Sequence, residues 1–308
     1  MAAQNDPRAE EAMKRAMQDV GHFSQTIKPD DDSPDAPVSF GALLAAIVTC
    51  PGAPQLPAGT TDLDPLHSAL DAADALDADA MNAWKMSGEA ARRSVLLLLY
   101  KLNQQRPGFE VALEDPAQEH ASRMLAFATK LLMQAQVFLP QARWVQQTLS
   151  VARASALIAN SLWSHTDEAA LTLMSKILDA DGLPPPKLSL TACAYPKGGT
   201  PTDSVCEVLP KGHVTLDIKL TREHAGPGKE GVSPPNPQGI WEAYWLYVEG
   251  QKPEGTPNSL IVAQPIVVKD LEDAHAKQNV VFGAPPDVGD YKLTVYVVST
   301  SVIGIDIR

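Results

Sequence analysis

The sequence predicts an α+β chain in two parts, a helical bundle followed by an immunoglobulin-like β-sandwich. Three observations carry this. Before about Leu183, Ala and Leu recur at helical spacing; after it, Val, Thr, Tyr, Pro and Gly dominate and the apolar period becomes two. The run Gly182-Leu183-Pro184-Pro185-Pro186 is a stop between the two regimes. The stretch Ala284 to Arg308 reads as a Pro-rich turn, an alternating strand and a short final apolar segment. The expected domains are an N-terminal helix with an acidic linker (1–37), the bundle (38–182) and the sandwich (183–308).

The bundle is justified element by element. Arg8 to Gln25 is an amphipathic opening helix. The linker KPDDDSPDAP is too polar to bury and is expected to be unstructured at its centre. Val38 to Thr49 is a short apolar helix that stops before Pro51. Asp62 to Trp84 places Leu63, Leu66, Leu70 and Ala73 on one face, and Glu89 to Gln105 carries the densest apolar run, as a central helix would. Asp115 is the expected cap of the next helix, with Pro116 at its first position and Gln118 three residues after the cap. Met124, Ala128, Leu131, Ala135 and Phe138 form its core stripe. Gln141 to Trp163 repeats the pattern through Val145, Leu149, Ala152, Ala156 and Ala159, and Asp167 to Ala180 is the last helix.

In the second part the clearest strand is Gly212 to Thr221. Val214, Leu216, Ile218 and Leu220 point one way; Thr215, Asp217, Lys219 and Thr221 point the other. Further strands are expected at Leu188 to Tyr195, Ala243 to Glu249, Leu260 to Val268, Asn279 to Phe282 and Tyr291 to Val298, with Ile303 to Ile307 as a seventh. Arg222 to Gly239 reads as a mobile loop. Among the aromatic residues, Tyr244 shares a face with Leu246 and Val248, and Trp245 with Tyr247, so one set must face away from the sandwich core.

Composition bounds the function. A chain of 308 residues with 44% hydrophobic and 20% charged content has enough material for two cores. Its net charge of −12 argues against nucleic acid and against adsorption to an anionic membrane. Cys50, Cys193 and Cys206 are too few for a disulfide framework and lack the histidines of a zinc site. They read as small buried thiols, with a Cys193–Cys206 bridge as the alternative. No apolar run approaches the roughly 20 residues that span a bilayer, and MAAQNDPRAEE is not a secretory signal, so the expectation is a soluble chain.

Nothing in the sequence signals catalysis, a cofactor or a metal. There is no Gly-x-Ser-x-Gly elbow and no His-Glu-x-x-His pair. Gly226-Pro227-Gly228-Lys229-Glu230 lacks the upstream Gly and the Ser or Thr of a phosphate loop. The histidines are scattered, and His213 and His224 read as exposed turn residues. Asp71, Asp74 and Asp77, with Asp79 nearby, suggest a solvated acidic helix face; a cation or basic partner there is the alternative.

The residues toward the C-terminus resemble the Sec-sixty-three family, the cytosolic C-terminal region of the J-protein that serves the endoplasmic reticulum translocon. The likeness is carried by Trp245, Leu246 and Tyr247, by Ala284 and Pro285, by Gly289, Tyr291 and Thr294, and by Ser299, Gly304 and Asp306. Thr300 stands where the family has Asp and Val302 where an aromatic is common. The leucine-rich SVLLLLYKLNQQ, the Trp-bearing QARWVQQTL and Asn160-Ser161-Leu162-Trp163 follow the family's helical order. The family's middle helical element is shortened here to Thr166–Asp181, its acidic insert is missing, and no His-Pro-Asp of a J-domain occurs.

The resemblance implies a fibronectin-III-like sandwich and a non-enzymatic adaptor that docks on cytosolic loops of the Sec translocon channel to promote post-translational import. Its partners would be channel subunits and other translocation proteins, it would reach the membrane only through them, and it would sit at the cytosolic face of the endoplasmic reticulum. The chain would then be a fragment, a split subunit or a paralogue that keeps the binding part. The motif residues would be mostly structural. A different reading is a module of the same kind acting with a spliceosomal RNA helicase; an enzyme is the third.

Overall fold

The computed structural model describes residues 7–30, 32–56, 61–73, 75–76, 88–104, 106, 108–162, 172, 174–176, 187–201, 206–226, 242–252, 256–268, 270, 272–300, 302–304 and 306–308. The chain divides into two compact units, Met1–Ala142 with Gln146–Ala170, and Arg143–Val145 with Leu171–Arg308. A helical first part precedes antiparallel strands, as the change of period predicts. Among the described residues no helix is long and apolar enough to cross a membrane.

The helical unit contains α1 (Pro7–Thr26), α2 (Phe40–Val48), α3 (Asp64–Ala72), α4 (Glu89–Asn103), α5 (Asp115–Phe138), a 3-10 turn (Leu139–Ala142) and α6 (Val145–Ala159). The apolar run of α4 is buried all round from Ser94 to Tyr100, and the helix packs on α5, α2 and α3. Helix α1 packs on α5 and α2. The linker is partly ordered: Asp30 accepts from the backbone N–H of Asp32 (3.3 Å) and of Ser33 (3.1 Å), a turn that an Asp side chain stabilises locally. Its far end is fastened to α6, where Ser150 Oγ accepts from Val38 N–H at 3.2 Å and Gln147 Nε2 donates to the Ala36 carbonyl at 3.3 Å.

Three helix boundaries differ from expectation. Glu114, not Asp115, is the cap of α5, and Gln118 reaches back to donate to the Leu113 carbonyl at 2.7 Å. The helix expected from Gln141 begins only at Val145, because Pro140 lies in a 3-10 turn and Arg143 takes a left-handed φ of 62°. Helix α3 ends at Ala72, while Asp74, Asp77, Asp79 and Trp84 lie outside the described residues. Of the last expected helix only Thr172 and Met174–Lys176 are described, as helical.

A tight contact joins α1 to the turn after α2. Gly52 N–H donates to Asp19 Oδ1 at 2.7 Å, and a Cβ on Gly52 would lie 2.4 Å from Asp19 Oδ2. Asp19 is buried, and its carbonyl also accepts from the Cys50 thiol at 3.6 Å. Burial and the neighbouring Asp19 charge push the Cys50 thiol up to about 12, so it stays protonated. Gly52→Ala is expected to cost about 1–3 kcal/mol, the usual penalty of overpacking, measured as a fall in the urea midpoint of the helical signal.

The second unit is built from β1 (Leu188–Pro196), β2 (His213–Arg222), β3 (Ala243–Gly250), β4 (Ser259–Val267), β5 (His275–Gly283) and β6 (Leu293–Ser299). They form two three-stranded antiparallel sheets, in the orders β1-β2-β5 and β4-β3-β6. The inner faces share one core: Leu216, Ile218, Leu220 and Val280 from the first sheet, and Tyr244, Leu246, Val248, Ile266, Val295 and Val297 from the second. The alternation in β2 therefore has the expected sense. Strand β5 starts four residues earlier than expected, because His275-Ala276-Lys277-Gln278 alternates too weakly in hydropathy to read as a strand. The expected seventh strand is a single bridge, with Ile307 exchanging two hydrogen bonds of 3.0 Å with Val297.

Candidate docking site

The motif residues toward the C-terminus converge on the β4-β3-β6 sheet and the segment that follows it. Leu246 is fully buried in the shared core, paired with Gln264 on β4 and Val297 on β6. Trp245 and Tyr247 occupy the other face of β3, their rings stacked at 5.9 Å with planes 7° apart. Tyr247 is fully buried there, and burial, with the Asp306 charge added, raises its phenol. Thr294 pairs with Glu249 across β6 and β3. Pro285 accepts from Lys211 N–H at 3.2 Å, tying the β1–β2 and β5–β6 connections together. Tyr291 lies over Gly289 with 3.7 Å between its ring and an ideal Cβ, and donates to the Asp287 carbonyl at 3.0 Å. Gly304, at φ +79°, makes the turn that returns Ile307 to β6. These residues are architecture: they close a sheet and pin its margin.

The sequence reading missed a buried polar cluster at the opposite end of the sheets. Arg222, His224, Glu242 and Tyr244 are all buried. Glu242 accepts from Arg222 Nη2 through one oxygen and from the Tyr244 hydroxyl through the other. His224 Nε2 lies 3.1 Å from Glu242 Oε1, and its Nδ1 lies 3.1 Å from Lys187 N. Nδ1 lies equally 3.1 Å from the Lys187 carbonyl oxygen, so it has a partner on Lys187 whether or not it carries a proton, and a proton on Nε2 is donated to the carboxylate. Reading His224 as an exposed turn residue was wrong: a buried carboxylate needs donors, and His224 is one of them. His213 is exposed, as expected.

Burial pushes the Glu242 carboxyl up, but the hydrogen bonds from His224, Arg222 and Tyr244 outweigh it and hold it below its ordinary value. Burial likewise disfavours the Arg222 cation, and the hydrogen bond and charge of Glu242 more than restore it. The phenol of Tyr244 is raised by burial and by the Glu242 charge. The cluster is a buried, salt-bridged support. The signal for it lay in strand phase. Arg222 continues the inward row Val214, Leu216, Ile218, Leu220, and Glu242 precedes the inward row Tyr244, Leu246, Val248. Two opposite charges on core-facing phases need each other.

The cluster holds a surface. Arg222 donates through Nη1 to the Asp273 carbonyl, and its backbone N–H donates to the Ala274 carbonyl at 2.8 Å. Within the β4–β5 turn, Asp270 accepts from Glu272 N–H through its side chain (2.9 Å) and from Asp273 N–H through its carbonyl (3.2 Å). Asp270, Glu272 and Asp273 are exposed on this turn, and Glu223 is exposed beside Arg222 in the chain. The sheets thus present an acidic turn on a buried ionic anchor, an arrangement that suits a basic partner. Residues 227–241, including Trp241, most of the expected loop and all but Gly226 of the phosphate-loop look-alike, lie outside the described residues.

Cys193 and Cys206 are not joined in a disulfide, and both are half-buried rather than buried. Burial and the neighbouring Cys193 raise the Cys206 thiol. Among the described residues no three His, Cys, Asp or Glu side chains converge as metal ligands. No family model matches this chain, and no curated protein matches it either.

Proposed function

We propose that this chain is a non-enzymatic adaptor of the endoplasmic reticulum protein-translocation machinery, docking on basic cytosolic loops of the Sec channel at the cytosolic face of the membrane. The observation that carries the reading is the strand order. The orders β1-β2-β5 and β4-β3-β6, with Ile307 bridging the free side of β6, support the reading of a fibronectin-III-like sandwich with its last strand reduced to a bridge. The resembling residues Trp245, Leu246, Tyr247, Gly304 and Asp306 cluster on one of its layers. The acidic β4–β5 turn is the surface whose charge suits the partner, and the buried Arg222–Glu242 pair keeps it in one geometry.

The test is a mild-detergent affinity purification of the tagged chain from membranes. Translocon channel subunits are the expected co-purifying chains. Glu272→Lys and Asp273→Lys together are expected to weaken that association by about 3 kcal/mol, about a hundredfold, with no change in melting temperature. Undiminished recovery would remove the acidic turn from the mechanism. Recovery of helicase or splicing subunits without membrane proteins would overturn the translocation reading.

A further inference from the structure

The outward face of the β1-β2-β5 sheet carries a hollow of about 450 Å³, lined by Thr191, Cys193, Asp217, Lys219, Lys277 and Asn279 among others. Strand register arranges these side chains in two rows. Thr191, Lys219 and Lys277 lie directly opposite one another across the three strands, and Cys193, Asp217 and Asn279 form the next row. Two lysines face to face on neighbouring antiparallel strands repel. Neither has an acidic partner within ion-pair distance among the described residues; the carboxylate of the next row, Asp217, accepts from the Tyr195 hydroxyl at 3.0 Å. Lys219 is half-buried, which sharpens the repulsion. A chain of net charge −12 thus keeps a paired cationic row inside a concave surface.

We propose that this hollow is a binding site for a phosphomonoester. A tetrahedral dianion between the two ammonium groups satisfies both at once, as a monovalent carboxylate does not, and Thr191 supplies a hydroxyl donor beside them. Asp217 sets the orientation of the ligand. It would repel an anion on its own row and accept a hydrogen bond from a donor attached to the phosphate. A phosphoserine within a peptide meets both demands, with its phosphate on the lysine row and its backbone N–H toward Asp217. Inorganic phosphate meets only the first.

The experiment is a titration of the isotopically labelled full chain, followed by amide chemical shifts, at constant ionic strength. The probes are inorganic phosphate, a phosphoserine peptide and its unphosphorylated form. Saturable shifts centred on Thr191, Lys219 and Lys277 are expected with both phosphorylated probes. Lys219→Gln with Lys277→Gln is expected to weaken binding at least about tenfold without lowering the melting temperature, since the repulsion goes as well. The Lys→Arg pair, which keeps both charges, is expected to retain binding. Tighter binding of the peptide, with the advantage lost in Asp217→Asn, assigns the site to a protein-borne phosphate; equal binding assigns it to a free one. Shifts that do not saturate, that sodium chloride reproduces, or that survive the double Gln variant would overturn the site.

Discussion

Glu242→Gln is expected to destabilise the strand unit by about 3–5 kcal/mol, the cost of leaving one partner of a buried ion pair without its counter-charge. The substitution keeps the shape of the side chain and removes its charge. Arg222, whose side chain has no exposed surface, then remains as a buried cation. The Gln amide keeps one acceptor oxygen, so either Arg222 or the His224–Tyr244 pair then faces an N–H donor. The measurement is the urea midpoint of the strand unit, followed by the amide signals of β3 in the isotopically labelled chain. Arg222→Met should cost a comparable amount, and the double variant should cost less than the sum, because the two single losses describe one interaction. Full additivity would mean that the pair contributes nothing as a pair.

The same carboxylate predicts an acid limb. Its folded-state value lies below the ordinary 4.5. The carboxylate therefore contributes its full stabilisation above the ordinary carboxylate range and loses it as pH falls through the lower folded-state value. The strand unit should weaken progressively below about pH 4.5, and Glu242→Gln should lack that part of the dependence. Because Arg222 also holds the Asp273 carbonyl, the acidic turn should loosen with the pair. In this variant the stability at neutral pH and the docking proposed for the acidic turn should then fall together.

Leu246→Ala is expected to cost about 2–5 kcal/mol, from lost burial and the cavity left behind. Leu246 sits mid-strand on β3, the central strand of its sheet, where neighbours on both sides and from the opposing sheet confine any relaxation. With total stabilities of about 5–15 kcal/mol for domains of this kind, that is a large share. Leu188→Ala, on a half-buried position of the outer strand β1, should cost markedly less. Equal losses at the two positions would mean that the shared core is not centred on β3. The comparison also separates the two roles that a Trp-Leu-Tyr motif invites. Leu246 is core, whereas Trp245 and Tyr247 build the face on the other side of the sheet.

Much of this architecture was legible because the two halves use different periods. The change near Leu183 separates the helical from the strand region, and the inward row of β2 follows from alternation alone. The apolar run of α4 predicts a central helix, and from Ser94 to Tyr100 it is buried on every side. Boundaries were less legible. Pro140 was a visible warning that a single helix from Gln141 was too generous, whereas the left-handed Arg143 carried no sequence signal. The start of β5 was hidden because Gln278 occupies an inward-phase position.

The candidate site was half legible for a related reason. Local pattern determines which face a residue takes, so the inward phases of Arg222 and Glu242 were present in the chain from the start. Their partnership was not, because 20 residues separate them and only the packing of one sheet on the other brings the end of β2 and the start of β3 within bonding reach. The same holds for the lysine hollow: Lys219 was readable as outward-facing, but its opposition to Lys277 depends on the β2–β5 register, a 58-residue contact. Side-chain direction is a property of the local backbone; charge complementarity between distant strands is a property of register, and register exists only once the sheets have formed.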